Sequence, residues 1–132
     1  MARLTLADAS KLFEVRRVLE GHAVELAASM CIAEQAQELD QAYLALLDAA
    51  RKNDVGLFGK RDLPLHGAIW NVTANEHLQS ALLRINEPLS ALAMIQLVAN
   101  GNSSDLRCYA LSHAPVLEAI KSNDPERAQQ LC

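Results

Sequence analysis

Aromatic residues are scarce in this sequence: two phenylalanines, two tyrosines and one tryptophan occur among 132 residues, although 51% of the residues are hydrophobic. β-Sheets favour aromatic and β-branched side chains, whereas the leucine and alanine that dominate here favour helices. The composition therefore argues against a β-sheet fold and predicts an all-α protein. A chain of this length and apolar content can bury a core, so we expect residues 1–132 to form a single domain.

An excess of basic residues is also lacking. The 12 lysines and arginines are outnumbered by 16 acidic residues, the net charge is −4, and no stripe of positive charge follows a helix face. Nucleic-acid binding needs such a stripe to neutralise the phosphate backbone. We therefore expect no direct nucleic-acid binding by this chain.

Cysteines are few, and long apolar runs are missing. Cys31, Cys108 and Cys132 are far apart and form no CxxC motif, which argues against a disulfide framework and fits a reducing compartment. No segment reaches the roughly 18 apolar residues of a membrane span, and the N-terminus lacks the apolar core of a signal peptide. We expect a cytoplasmic protein with no membrane association.

Apolar residues recur at helical spacing along most of the chain. The pattern predicts helices over about 8–31, 36–51, 55–73, 75–98 and 103–122, and a short helix that starts after Asp124. Asp54, Asn75 and Asp124 are predicted N-caps, and Pro64 should kink the third helix. Without a repeat or a long linker, these elements predict a compact antiparallel bundle of about six helices.

Asp62, His66 and His113 are the ionisable side chains that fall squarely on predicted core-facing stripes. Asp62 and His66 are four residues apart and share one face of the third helix, whereas His113 lies on the fifth. Burying such groups is costly unless a partner compensates. One carboxylate and two imidazoles suit Zn²⁺, Ni²⁺, Mn²⁺ or Fe²⁺, and three protein ligands leave coordination positions open. The alternative is that both histidines are hydrogen-bonded core residues.

Arg16 lies on the first helix, next to the apolar stripe, and could grip a carboxylate in bidentate fashion. Its alternative role is a surface pair with Glu20, one turn away.

Neither a nucleophile elbow, a P-loop nor an H-E-x-x-H motif is present. We therefore do not expect an enzyme.

The order of these features resembles the C-terminal effector-binding (FCD) domain of GntR-family bacterial transcription regulators of the FadR subfamily. The resemblance rests on residues 13–28 (FEVRRVLEGHAVELAA), on Asp62-x-x-x-His66, on Asn75 followed by Leu78, and on residues 113–128. It covers nearly the whole chain, from about residue 9 to residue 131.

The resemblance implies a helical bundle that binds a small organic acid, in many members with a divalent metal. Asp62, His66 and His113 match three of the family's usual ligands, and Arg16 matches an arginine that often faces the cavity. The remaining histidine ligand usually comes from the last helix, and no such residue occurs up to Cys132, which implies a weaker site. The winged-helix domain that normally precedes the bundle is also absent from this chain, so DNA contact is expected only through such a domain.

The leading hypothesis from the sequence is therefore a ligand-sensing and dimerising domain of a repressor-type regulator. Its effector would be a small carboxylate, and it would form a homodimer. The apolar run at 92–98 suggests either an effector with a hydrophobic body or a dimer surface. Two alternatives remain, which are a small metal-dependent enzyme that uses a bound water and a plain helical interaction module.

Overall fold

The computed structural model describes residues 5–100 and 103–132, and these residues are almost entirely helical. Within them the helices are α1 (Leu6–Met30), α2 (Ala33–Arg51), α3 (Val55–Val72), α4 (Glu76–Asn100), α5 (Ser103–Leu111), α6 (Ala114–Lys121) and α7 (Pro125–Leu131). Only two or three residues separate each of the first four helices from the next. Such short connections place successive helices side by side and antiparallel. The predicted all-α bundle is confirmed.

The predicted N-caps are present. Asp54 Oδ1 accepts a hydrogen bond from the backbone N–H of Leu57 at 3.0 Å, and Asp124 Oδ1 accepts one from that of Arg127 at 3.2 Å. Asn75 Oδ1 accepts from two backbone N–H groups of the first turn of α4. Each cap satisfies donors that have no partner inside the helix, so the start of the helix is encoded locally.

The predicted fifth helix is wrong in one respect, because it is divided into α5 and α6. The two segments meet at a turn formed by Ser112 and His113. Pro115 lies in the first turn of α6, where proline is well tolerated, and its missing N–H and its ring disfavour a continuous helix past the carbonyl of Leu111, four residues earlier. The division therefore places His113 at a helix junction. The third helix, in contrast, is continuous through Pro64, and the kink expected there stays a prediction.

Helix α1 is central to the packing, since it contacts α3, α4, α6 and α7. Alanines on its inner face allow close approach, and leucines of the neighbouring helices fill the space between them. Fully buried members of this core include Ala23, Ala27, Leu39, Leu46, Leu65, Leu82 and Ile120. The arrangement brings the middle of α1 against the face of α3 that carries Asp62 and His66.

The segment 92–98 contains both half-buried and exposed positions. Leu92 is half-buried, whereas Ile95 is 65% exposed. The side chains of residues 94 and 96–98 lie outside the described part of the chain.

Among the described residues, no helix combines the length and the apolar character that crossing a membrane requires.

Ala74 adopts a left-handed backbone conformation, with φ of 53°, where α3 ends. This conformation is unfavourable for alanine by about 1 kcal/mol, because its Cβ crowds the backbone, but it is accessible to glycine. We expect Ala74→Gly to raise the free energy of unfolding by about 0.5–1 kcal/mol in urea titrations. Asn53, with φ of 52°, provides the matched control. Because asparagine tolerates this region, Asn53→Gly should give a smaller gain, and an equal gain at both sites would contradict the explanation.

Candidate metal centre

Asp62, His66 and His113 meet in the interior of the bundle. Asp62 Oδ1 lies 3.5 Å from His66 Nε2 and 3.9 Å from His113 Nε2. One potential ligand atom from each residue lies within 4.8 Å of those of the other two. The three side chains are 9–17% exposed. The sequence placed these residues on the inward faces of two predicted helices, and the fold brings them together.

The hydrogen-bonding capacity of this cluster is not satisfied by the protein. Asp62 Oδ1 and both ring nitrogens of His66 are buried and have no hydrogen-bond partner among the described residues. Their separations of 3.5–3.9 Å are longer than good hydrogen bonds but suit ligands that point at a common centre. Buried polar atoms are rarely left unpaired. The donor set of one carboxylate oxygen and two imidazole nitrogens therefore fits a borderline divalent cation.

His113 is oriented by the backbone of α5. Its Nδ1 atom lies 2.9 Å from the carbonyl oxygen of Tyr109 and 3.3 Å from that of Ala110. A carbonyl can only accept a hydrogen bond, so Nδ1 carries the proton and the neutral ring presents the lone pair of Nε2 to Asp62. His113 is thus held in the tautomer that a metal ligand needs.

Two residues that sequence reasoning missed complete the surroundings of His66. Glu20 of α1 is 92% buried, and its Oε1 atom lies 3.7 Å from His66 Nδ1. The indole Nε1–H of Trp70 donates to both oxygens of Glu20, at 3.2 and 3.3 Å. Two signals were available in the sequence: Trp70 follows His66 by one helical turn, and the spacing of Glu20, Ala23 and Ala27 places them on one helix face.

Glu20 is buried, so it is not the surface partner of Arg16 that the sequence offered as an alternative, although the charge of Arg16 still acts on it. In the described structure no ion pair within 4.0 Å joins the two side chains. Arg16 is half-buried on α1, one turn before Glu20. Its positive charge is close enough to oppose the rise in the pKa of Tyr109, which burial and the charge of Asp62 cause. The guanidinium therefore lies in the electrostatic surroundings of the cluster.

Burial and charge act in opposite directions on His66. Burial disfavours the imidazolium, but the carboxylates of Asp62 and Glu20 outweigh this effect and raise the pKa of His66 to about 9. Burial likewise opposes ionisation of Glu20, yet His66, Trp70 and the charge of Arg16 together lower its pKa. In the absence of a metal, a protonated His66 thus lies between two carboxylates at neutral pH.

His113 behaves differently from His66. Its pKa is lowered, first by burial and then by the positive charge of His66, and the charge of Asp62 offsets these effects only in part. Of the two imidazoles, His113 is therefore neutral at pH 7 and needs no deprotonation to act as a ligand.

A family comparison now identifies the domain. The model of the FCD domain matches residues 11–132. The chain belongs to the FCD domain family. This result confirms the family resemblance that the sequence motifs indicated.

A bacterial regulator and a solved structure extend the comparison. The chain is 27% identical over 127 residues to a protein of Paenarthrobacter nicotinovorans described as "Probable D-xylose utilization operon transcriptional repressor", which covers 96% of this chain and 54% of that protein. The solved structure of E. coli McbR/YncC superposes with a TM-score of 0.89 at 19% identity, over 99% of this chain and 65% of that one. The chain thus spans between half and two thirds of the length of these proteins, and the structural match supports the bundle fold.

Proposed function

We propose that this chain is the metal-assisted, carboxylate-sensing domain of a bacterial transcriptional regulator. The observation that carries the proposal is the buried convergence of Asp62, His66 and His113 with unsatisfied polar atoms. Membership of the FCD family and the likeness to a protein described as a transcriptional repressor support the regulatory role. In this proposal a DNA-binding domain, of the kind found in regulators, responds to the state of the bundle.

The proposed metal is a divalent ion of the Zn²⁺, Ni²⁺, Mn²⁺ or Fe²⁺ type. Asp62 would supply an anionic oxygen, His113 a preoriented Nε2 atom, and His66 its Nε2 atom in the deprotonated form. Three protein ligands leave coordination positions for a carboxylate. The bound ion would contribute a positive charge that attracts the carboxylate of the effector.

Arg16 is the proposed second anchor for the effector. It is half-buried, and its charge acts on both Glu20 and Tyr109 beside the cluster. A planar guanidinium can form two parallel hydrogen bonds to a carboxylate. An effector that binds one packing of the bundle better than another shifts the equilibrium between them, which is how binding would be transmitted.

The domain is also proposed to form a homodimer. Val15 and Val18 share one face of α1 and are 47% and 69% exposed, and Ile95 of α4 is 65% exposed. Apolar surface of this kind is typical of contacts between subunits. We expect sedimentation velocity to show a dimer for the parent chain and a shift toward monomer for Val18→Asp. A parent chain that is monomeric at tens of micromolar would contradict this part of the proposal.

The sensing role predicts a specific effect of Arg16. Isothermal titration of the metal-loaded protein with a panel of small carboxylates should show saturable binding without chemical change of the ligand. Arg16→Gln should weaken this binding about tenfold or more, because a charge-assisted bidentate contact is lost. Arg17, exposed on the same helix, gives the matched control, and Arg17→Gln should bind as the parent does.

Two results of this titration would each contradict one part of the proposal, namely the sensing role or the role of Arg16. Turnover of a carboxylate would instead support a metal-dependent enzyme. Equal binding by the Arg16→Gln and Arg17→Gln variants would show that Arg16 does not contact the effector.

A further inference from the structure

The two ring nitrogens of His66 face different partners. Nε2 lies 3.5 Å from Asp62 Oδ1, the oxygen that also faces His113, whereas Nδ1 lies 3.7 Å from Glu20 Oε1. The ligand atoms of the candidate metal centre therefore surround Nε2. When Nε2 binds an ion, the remaining ring proton must be on Nδ1.

A protonated Nδ1 needs an acceptor in this interior. The atom is buried and has no hydrogen-bond partner in the described structure, and the nearby carboxylate of Glu20 is the acceptor positioned to receive it. Leaving a buried N–H without an acceptor costs free energy. The group that faces Nδ1 therefore affects how well His66 can bind a metal through Nε2.

The carboxylate of Glu20 is itself held in place. Trp70 Nε1–H donates to both of its oxygens, and Glu20 is 92% buried between α1 and α3. Trp70 follows His66 by four residues, so the two side chains lie on one face of α3, with ring centroids 6.0 Å apart. Trp70 on α3 thus holds the carboxylate of Glu20, on α1, next to Nδ1 of His66.

We propose that Glu20 is a positioning residue for His66 in the metal centre, with Trp70 as its support. The carboxylate accepts the Nδ1–H hydrogen bond when Nε2 binds the ion, which fixes the tautomer and the ring plane and makes the imidazole a stronger ligand. The backbone carbonyl of Tyr109 already has this role for His113, at 2.9 Å. This inference rests on the proposed metal site, and it names Glu20 as the acceptor for the ring proton of His66.

The test compares metal affinity in three α1 variants. Affinities for Zn²⁺ and Ni²⁺ are measured by chelator competition at pH 8 for Glu20→Ala, Glu20→Gln and the control Glu14→Gln, an exposed position on the same helix. We expect a loss of about 10–100-fold for Glu20→Ala, a smaller loss for Glu20→Gln, which keeps an acceptor oxygen but no charge, and no change for Glu14→Gln. Trp70→Phe removes the indole N–H that donates to Glu20, and we expect it to lower the metal affinity a few-fold.

A spectroscopic measurement separates positioning from a purely structural role. In ¹H–¹⁵N correlation spectra of the imidazole rings of the Zn²⁺-loaded protein, His66 should carry its proton on Nδ1, and the signal should be protected from exchange. In the Glu20→Ala variant that proton should exchange faster or disappear from the spectrum. The corresponding signal of His113 should be unchanged, because its acceptor is a backbone carbonyl.

The outcomes distinguish this inference from the proposed function. A parent protein that binds none of these ions overturns the metal site and the role of Glu20 together. A parent that binds, with a Glu20→Ala variant of equal affinity and an unchanged His66 signal, overturns the positioning role alone. If Glu20→Ala does not fold, normal affinity and a normal His66 signal in both Glu20→Gln and Trp70→Phe overturn it as well.

Discussion

Replacing His66 by alanine should lower the affinity for Zn²⁺ or Ni²⁺ by about 100-fold or more, because it removes one of three protein ligands and leaves two. For the parent protein, an ion at about 100 times its dissociation constant stabilises the fold by about 2.7 kcal/mol. In a domain of this size that stabilisation raises the melting temperature by roughly 10 °C. The variant should lose nearly all of this shift, as measured by differential scanning fluorimetry with and without metal.

Controls for this experiment are available within the chain. The side chain of His77 is 93% exposed, so His77→Ala removes an imidazole without touching the cluster and should keep the metal-induced shift. Asp62→Asn, which preserves size and leaves no uncompensated charge, should lose affinity in the same direction as His66→Ala. If the metal raises the melting temperature of His66→Ala as much as that of the parent, the candidate centre is not where the metal binds.

Metal affinity should also depend strongly on pH. The pKa of His66 is about 9, since Asp62 and Glu20 outweigh the effect of burial, so a metal must displace a proton from His66 at neutral pH. His113, whose pKa is lowered, is already neutral there. The apparent affinity for Ni²⁺ should therefore rise about tenfold per pH unit between roughly pH 6.5 and 8.5 and level off above about pH 9.

The stability of the metal-free protein should change in the opposite direction. The folded-state pKa of His66 lies above the value of 6.5 for an unperturbed histidine, so protonation stabilises the fold. This contribution is fully present below about pH 6.5 and is lost as the pH rises through about 9. In chelator-treated protein, the urea midpoint of unfolding should fall over this range. The His66→Gln variant should show a weaker pH dependence of both the urea midpoint and the metal affinity. A metal affinity that is constant from pH 6.5 to 8.5 would contradict the proton displacement.

Much of the local structure could be predicted because its causes lie close together in the sequence. Asp54, Asn75 and Asp124 cap their helices through side-chain contacts only two or three residues away. Within the described residues, the helix predicted around His113 is divided into two. There Pro115 interrupts a helical pattern that hydrophobic spacing alone presents as continuous.

The inward placement of Asp62, His66 and His113 was similarly accessible from periodicity, since helical residues four apart share a face. Periodicity does not show which side chain of a neighbouring helix each residue contacts. Glu20 looked like half of a surface pair with Arg16, because an intrahelical neighbour is the only contact that a single helix can show. Its actual contacts, Trp70 and His66, lie about 50 residues away along the chain.

The sequence by itself determined the helical class, the helix starts and the faces that carry the ionisable residues, because these depend on composition and on spacings of a few residues. Only the tertiary structure decided that a carboxylate and two imidazoles converge within 4.8 Å, and that Glu20 is buried against His66. The physical reason is that convergence depends on how α1, α3 and the α5–α6 junction pack together. The pKa of each group then follows from the burial and the charges that this packing creates.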